Sequence, residues 1–313
     1  MIEQIGPYRV VSRIAATNTA EIFAARPAVA SRAALAETNE AGEVALKVLR
    51  PEFAQSRTEQ RYLRTEARIC SELDHPAMIG VLGVQLDAPR PYLVMERFLG
   101  HSLRQRLDAN QLSGPNAVPP ERRANGNGSA WASKGISPRE AVPYLSRLAD
   151  GLAHMHDHGW VHCDVKPQNI LIGEDDEVRL IDMALARHMG KRGMWRRFWG
   201  RMRRRTEGTR SYMSPEQIRA HRVDGRSDVY ALGVTLFEVL AGRLPYAANN
   251  SSQLLSLHLS AHVPLVSKYN EQVSPELDDL VRSMMAKQPE DRPQAMAYVS
   301  SRLADLGGSA AGR

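Results

Sequence analysis

Cysteine is scarce in this chain: Cys70 and Cys163 are the only two in 313 residues. Two cannot build a disulfide framework, and their separation fits no zinc site, so a reducing cytoplasm is the expected setting. A long apolar run is missing too. The best candidate, residues 230–240, is interrupted by Glu238 and falls far short of the roughly 20 residues that span a bilayer. The opening MIEQIGPYRVV holds no apolar signal core, and no internal repeat is visible. What is present is an ordinary hydrophobic content of 43% in a chain long enough for one large or two modest domains.

The formal charge of +6 is unevenly placed. Residues 191–205 hold eight Lys/Arg and no acid, so the remainder carries about −2. A binding face for nucleic acid would spread its basicity over the fold, and none is expected here. Within that segment Trp195, Phe198, Trp199 and Met202 fall at i, i+3, i+4 and i+7, one apolar helical face flanked by arginines. It packs on its own domain with the arginines solvated, or meets an anionic membrane surface, or fills a substrate groove or recruits an acidic partner.

The first 100 residues read as short strands with one helix: strands over 8–14, 21–26, 43–49, 81–86 and 92–95, and a helix over 60–73 on Leu63, Ala67 and Cys70. Residues 27–41 are Ala-rich and read as a loop insertion. From 138 the pattern turns helical, over 138–156, over the almost wholly apolar 229–241, and over 274–286 behind a Ser-Pro-Glu start. Residues 109–136, rich in Gly, Pro, Asn and Ser, read as a disordered insertion. A β-rich half before a helical half predicts an α+β chain of two lobes with a cleft.

The strongest chemical signal is His162-Cys163-Asp164-Val165-Lys166-Pro167-Gln168-Asn169. An acid with a cation two residues on and an amide five residues on suits phosphoryl transfer: a proton acceptor, a charge partner for the moving group, and a metal ligand. Asp182 follows an aliphatic strand, where a carboxylate can hold Mg²⁺. Lys47 sits in the apolar Val44-Ala45-Leu46-Lys47. A buried ammonium needs an acid, and Glu66 on the predicted helix is the first candidate, with Glu59 the second; an edge-strand lysine would instead reach solvent. His188 and His221 have no acids at metal spacing and read as solvated or core histidines.

Together these pieces resemble the bacterial, eukaryotic-like serine/threonine protein kinase family over about residues 8–305. The resemblance implies a two-lobed fold, with an N-lobe over 1–98, a C-lobe over 99–305, an activation segment over 182–216 and a disordered tail over 306–313. It implies Asp164 and Lys166 in catalysis and Asn169 and Asp182 on Mg²⁺ (or Mn²⁺). ATP would be lined by Ile14, Ile22, Ala45, Lys47, Glu66, Met95, Glu96, Phe98 and Leu171. His162, Thr206, Thr209, Glu216, Asp228 and Arg292 would take structural or regulatory roles. Lys166, and the run from Gly208 to Glu216, match the Ser/Thr-specific form, which points to Ser/Thr hydroxyls of proteins and away from small-molecule phosphotransfer.

Three departures stand out. Ala15, Thr17 and Ala20 occupy places where the family has glycine over the phosphates, which predicts weaker phosphate contact and keeps a pseudokinase scaffold as the alternative. Asp182-Met183-Ala184 replaces Asp-Phe-Gly, with Met183 able to fill an aromatic-sized space. Cys163 stands where the family has the arginine that grips a phosphorylated activation loop, which speaks against switching by a phosphate on Thr206.

Overall fold

A computed structural model describes residues 4–28, 42–112, 135–189 and 210–311, in two compact units. The first comprises residues up to 100 together with 179–185. Its sheet contains β1 (Gln4–Ile5), β2 (Tyr8–Ala16), β3 (Ala20–Pro27), β4 (Val44–Leu49), β5 (Val81–Gln85) and β6 (Tyr92–Glu96), in the order β1-β2-β3-β4-β6-β5. All neighbours are antiparallel. Side chains alternate along a strand, so Val44, Leu46 and Val48 join Ile5, Phe23, Ala25, Tyr92 and Val94 in one core, while Ala45 and Lys47 fall on the opposite side of the pleat.

One helix crosses this unit, α1 (Arg57–Glu72). It begins three residues before the start expected at Gln60, because the Ser56 side chain accepts the Glu59 N–H at 3.4 Å. Leu63, Glu66, Ile69 and Cys70 form its buried face.

The second unit comprises residues 101–178 and 186–313. It contains β7 (His101–Ser102), α2 (Leu103–Leu112), α3 (Pro138–Asp157), β8 (Trp160–Val161) and β9 (Ile170–Ile172). β10 (Val178–Leu180) crosses back to the first unit before β11 (Arg187–His188). Then follow α4 (Pro215–Ile218), α5 (Gly225–Ala241), α6 (Ser251–Ser260), α7 (Pro275–Met284) and α8 (Met296–Ala311). β7 pairs with β9, and β8 with β11.

Helix α5 is buried on every side. Asp224 caps its start, and Gly242, in the left-handed region at φ 69°, ends it with an N–H bond to Glu238 at 2.8 Å. Glu238, the acid that interrupts the apolar run, is buried yet satisfied: Arg104 donates at 2.6 Å and the Tyr212 hydroxyl donates to its other oxygen. Helices α3 and α8 pack together and exchange reciprocal bonds, Ser146 Oγ to the Ser300 carbonyl and Ser300 Oγ to the Ser146 carbonyl.

Three boundaries differ from the sequence reading. Helix α8 continues to Ala311, so the expected disordered tail is helical over 306–311, where Gly307 lets α8 approach Val142 closely. Of the expected insertion at 109–136, residues 109–112 extend α2, and Gly135 and Ile136 pack on the end of α5; the rest lies outside the described residues. A side chain at Gly135 would collide with the Leu240 carbonyl. Residues 99–100 and 179–185 group with the first unit, because Leu180 bridges to Met78 in parallel. Among the described residues no helix is long and apolar enough to cross a membrane.

A buried ion pair ties α4 to the segment after α7. Arg292 meets Glu216 with both ends of its fork, at 2.8 and 2.9 Å, and bonds the Ala286 and Arg226 carbonyls at 2.8 Å. Burial raises the Glu216 carboxyl pKa, but the Arg292 guanidinium overcomes this and holds it below the ordinary range. Removing the cation leaves a buried, unpaired carboxylate. Arg292→Met is therefore expected to lower unfolding free energy by roughly 3–5 kcal/mol in urea titrations; a loss below about 1 kcal/mol would show that the pair is dispensable.

Candidate active site

In the first unit, β4 is a central strand, and its pleat turns Lys47 away from the core cluster. The ammonium donates to Glu66 Oε2 at 2.7 Å and to Asp182 Oδ1 at 3.0 Å. Glu66 is one turn after Leu63 on the buried face of α1, and the structure selects it over Glu59, which lies in the first turn. Burial pushes Lys47 toward its neutral form, but the Asp182 and Glu66 charges win and hold it above the ordinary lysine range. It is a cation at every physiological pH.

Asp182 is aimed by its backbone. It sits in the left-handed region at φ 66°, which Asp tolerates better than most residues. Just before it, the segment is held by the Leu180 N–H to the Ala77 carbonyl at 2.7 Å and the Ile79 N–H to the Leu180 carbonyl at 3.1 Å. Just after it, Met183, Ala184 and Leu185 form a buried 3₁₀ turn against α1. Cys70, one turn beyond Glu66, is kept as a neutral thiol: burial, helped by the Glu66 charge, raises its pKa.

At the end of β6, Ala45 pairs with Met95 and Val44 with Glu96. The Glu96 carboxylate accepts the Gly80 N–H and the Arg179 Nε–H, each at 2.9 Å, and the Arg179 guanidinium lies 4.8 Å over the Phe98 ring. The Phe98 N–H makes no hydrogen bond among the described residues. Gly80 and Arg179 belong to no motif, and sequence reasoning missed both.

The glycine-free hairpin between β2 and β3 closes on Thr17. Its N–H and hydroxyl both donate to the Ala20 carbonyl, at 2.8 and 3.1 Å, while its Oγ1 accepts the Ala20 N–H at 3.0 Å. No residue from 15 to 20 has positive φ, so the turn uses no conformation reserved for glycine. Ile22 is half-buried and pairs with Lys47, whereas Ile14 is exposed.

In the second unit the key anchor is Asp228, fully buried in the first turn of α5. Its carboxylate accepts the His162 and Cys163 N–H groups, each at 2.8 Å, and meets His156 Nε2 at 2.9 Å. These bonds hold Cys163 at φ 67°. Gln217 Nε2 donates to the Cys163 carbonyl at 2.9 Å. Neither His156 nor Gln217 was expected, because each acts on backbone or on a partner distant in sequence.

That fixed turn presents Asp164. Its N–H donates to His162 Nδ1 at 3.2 Å, and its Oδ2 accepts Lys166 at 2.8 Å and Asn169 at 3.1 Å. Asn169 also donates to the Asp164 carbonyl at 2.9 Å, so its amide nitrogen is spent and its oxygen is the atom left for a cation. Leu171 is half-buried in β9. Thr206, Thr209 and the basic residues 191–205 lie outside the described residues.

The donor chemistry fits a hard divalent cation. In the first unit Asp182, and in the second unit Asn169, each present an oxygen, and among the described residues no cluster of three or more His, Cys, Asp or Glu could hold a metal ion. Mg²⁺ suits oxygen donors of this kind, since it keeps waters and takes substrate phosphate oxygens.

The sequence matches the protein kinase domain family over residues 29–303. It is 32% identical over 265 residues to the serine/threonine-protein kinase PknB of Mycolicibacterium smegmatis, covering 83% of this chain and 38% of that protein. It is 28% identical to PrkC of Bacillus subtilis, over 91% of this chain and 38% of that protein. The chain thus spans well under half the length of these two relatives. The crystal structure of the Mycobacterium tuberculosis PknI kinase domain shares the fold, with a TM-score of 0.64 at 20% identity, over 96% of this chain and 97% of that one.

If Asp228 positions the loop, Asp228→Ala should free the His162 and Cys163 amides, which then exchange hydrogen at least about tenfold faster while α5 stays protected. Unchanged exchange at both amides would remove Asp228 from that role.

Proposed function

The chain belongs to the protein kinase domain family, and we propose that it transfers the γ-phosphate of ATP to serine and threonine hydroxyls of protein substrates. The observation that carries this reading is the Lys47 ammonium held by Glu66 and Asp182. Such a buried, permanently charged lysine is built to meet phosphate oxygens. A binding scaffold has no chemical need to keep Lys47, Glu66, Asp164, Lys166, Asn169 and Asp182 together.

Each residue has a task. Glu66 fixes the Lys47 side chain so that its charge is spent on phosphate. The Phe98 N–H and the backbone of Glu96 offer hydrogen bonds to an adenine edge. Asp164 orients the substrate hydroxyl and accepts its proton as oxygen attacks phosphorus and the bond to the diphosphate breaks. Lys166, 2.8 Å from Asp164, offsets charge on the group in transit. Asp182 in the first unit and Asn169 in the second would each give an oxygen to Mg²⁺ (or Mn²⁺), whose charge would offset that of the phosphates.

Regulation follows from Cys163. It is buried, and desolvation with the nearby Asp228 charge keeps its thiol neutral. The position therefore offers no cation to grip a phosphate on Thr206, and competence without loop phosphorylation is the reading this supports.

The test is transfer of labelled γ-phosphate to a protein substrate. Lys47→Met and Asp182→Asn should each lower the rate by about 10²-fold or more, the usual cost of one lost charge contact in the transition state. Either variant within threefold of the wild type would refute the assignment.

A further inference from the structure

Helix α1 has two faces with different chemistry. The buried face gives Glu66 to Lys47. The exposed face carries Arg57, Arg61, Arg64 and Arg68, at i, i+4, i+7 and i+11, which with Gln60 and Thr65 line an open groove. Arg68 is bonded to Glu72 at 2.8 Å, whereas Arg57, Arg61 and Arg64 have no ion-pair partner among the described residues. Like charges spaced this way repel and weaken a helix, so the row costs stability in isolation. Such a cost is removed by an anion that spans it.

We propose that this arginine row is a docking surface for a carboxylate-rich segment of a partner protein, which steadies α1 and with it the Glu66–Lys47 pair. The second part rests on the reading of Lys47 given above. Arginine favours this partner, because its planar fork meets a carboxylate with two parallel hydrogen bonds. The guanidinium groups are also distributed, not convergent: the row runs about 16 Å along the helix at ~1.5 Å per residue. A single phosphate cannot span that length, whereas about five extended residues at ~3.3 Å each can. A run of acidic side chains thus matches both the charge and the reach of the groove.

Fluorescence anisotropy with labelled hexaglutamate, on the whole chain, tests the proposal directly. The contrast variant is Arg61→Glu with Arg64→Glu. It touches none of the groups assigned to phosphate transfer, and it should fold, because each new glutamate gains an i, i+4 arginine, Arg57 or Arg68. Hexaglutamate should bind the wild type, lose affinity at least tenfold in the double variant, and weaken as salt rises. Bound peptide should also slow hydrogen exchange in α1 of the wild type and leave the variant unchanged. Equal affinity in both proteins would overturn the proposal, since the peptide would then sit on another basic region. A phosphoserine peptide bound more than tenfold better than hexaglutamate would overturn the carboxylate assignment. Concentration-dependent self-association, lost in the same variant, would make a second copy the occupant, through its exposed acidic turn at Glu174–Glu177, and would overturn the separate partner. These readouts need no phosphate transfer, so a chain that binds as expected yet transfers nothing would sustain the docking surface and sink the kinase reading.

Discussion

A single buried ammonium organises the first unit. Lys47 lies in the middle of an apolar sheet, where an uncompensated charge would cost several kcal/mol. Two carboxylates from different elements meet that cost, Glu66 from α1 and Asp182 from the segment after β10. The three elements are fixed in one arrangement because each charge is stranded without the others. The packing agrees with the electrostatics: Met183, Ala184 and Leu185 are buried against α1, close to the turn that offers Glu66. A helix that shifted outward would break an ion pair and open an apolar contact together.

The second unit solves a different problem with the same means. A loop that must hold Asp164, Lys166 and Asn169 in fixed relation cannot rely on helix or strand bonds. Buried Asp228 supplies the missing acceptors, taking the amides of His162 and Cys163. The anchor is itself positioned by α5, whose apolar surface is buried throughout and whose one interior acid, Glu238, is satisfied by Arg104 and Tyr212. Hydrophobic burial fixes the helix, the helix fixes one carboxylate, and the carboxylate fixes the loop.

Much of this was legible in the sequence because it depends on spacing. Lys47 in a strand and Glu66 on a helix face can be read from two periodicities, and the run from His162 to Asn169 is local. The unread parts depend on contacts between distant residues. His156, Gln217, Gly80 and Arg179 support the site through backbone groups or second partners, and no residue type at a fixed offset announces that. The hairpin at residues 15–20 is a subtler case. Glycine there is expected for its φ freedom, yet the turn has no positive φ, and the Thr17 side chain supplies a closing bond that backbone alone would otherwise make. The tail expected over 306–313 is another such case, since α8 runs on to Ala311. In the structure Gly307 serves close packing of α8 against Val142.

The proposed function requires that Asp164 serve chemistry and not nucleotide binding. Single-turnover transfer and Mg-ATP affinity, measured side by side on wild type and Asp164→Asn, separate the two. Affinity should stay within about threefold while the transfer step slows by roughly 10²–10⁴-fold, the range for a positioned acid–base group. Transfer at the wild-type rate in the variant, or loss of nucleotide binding along with transfer, would contradict it.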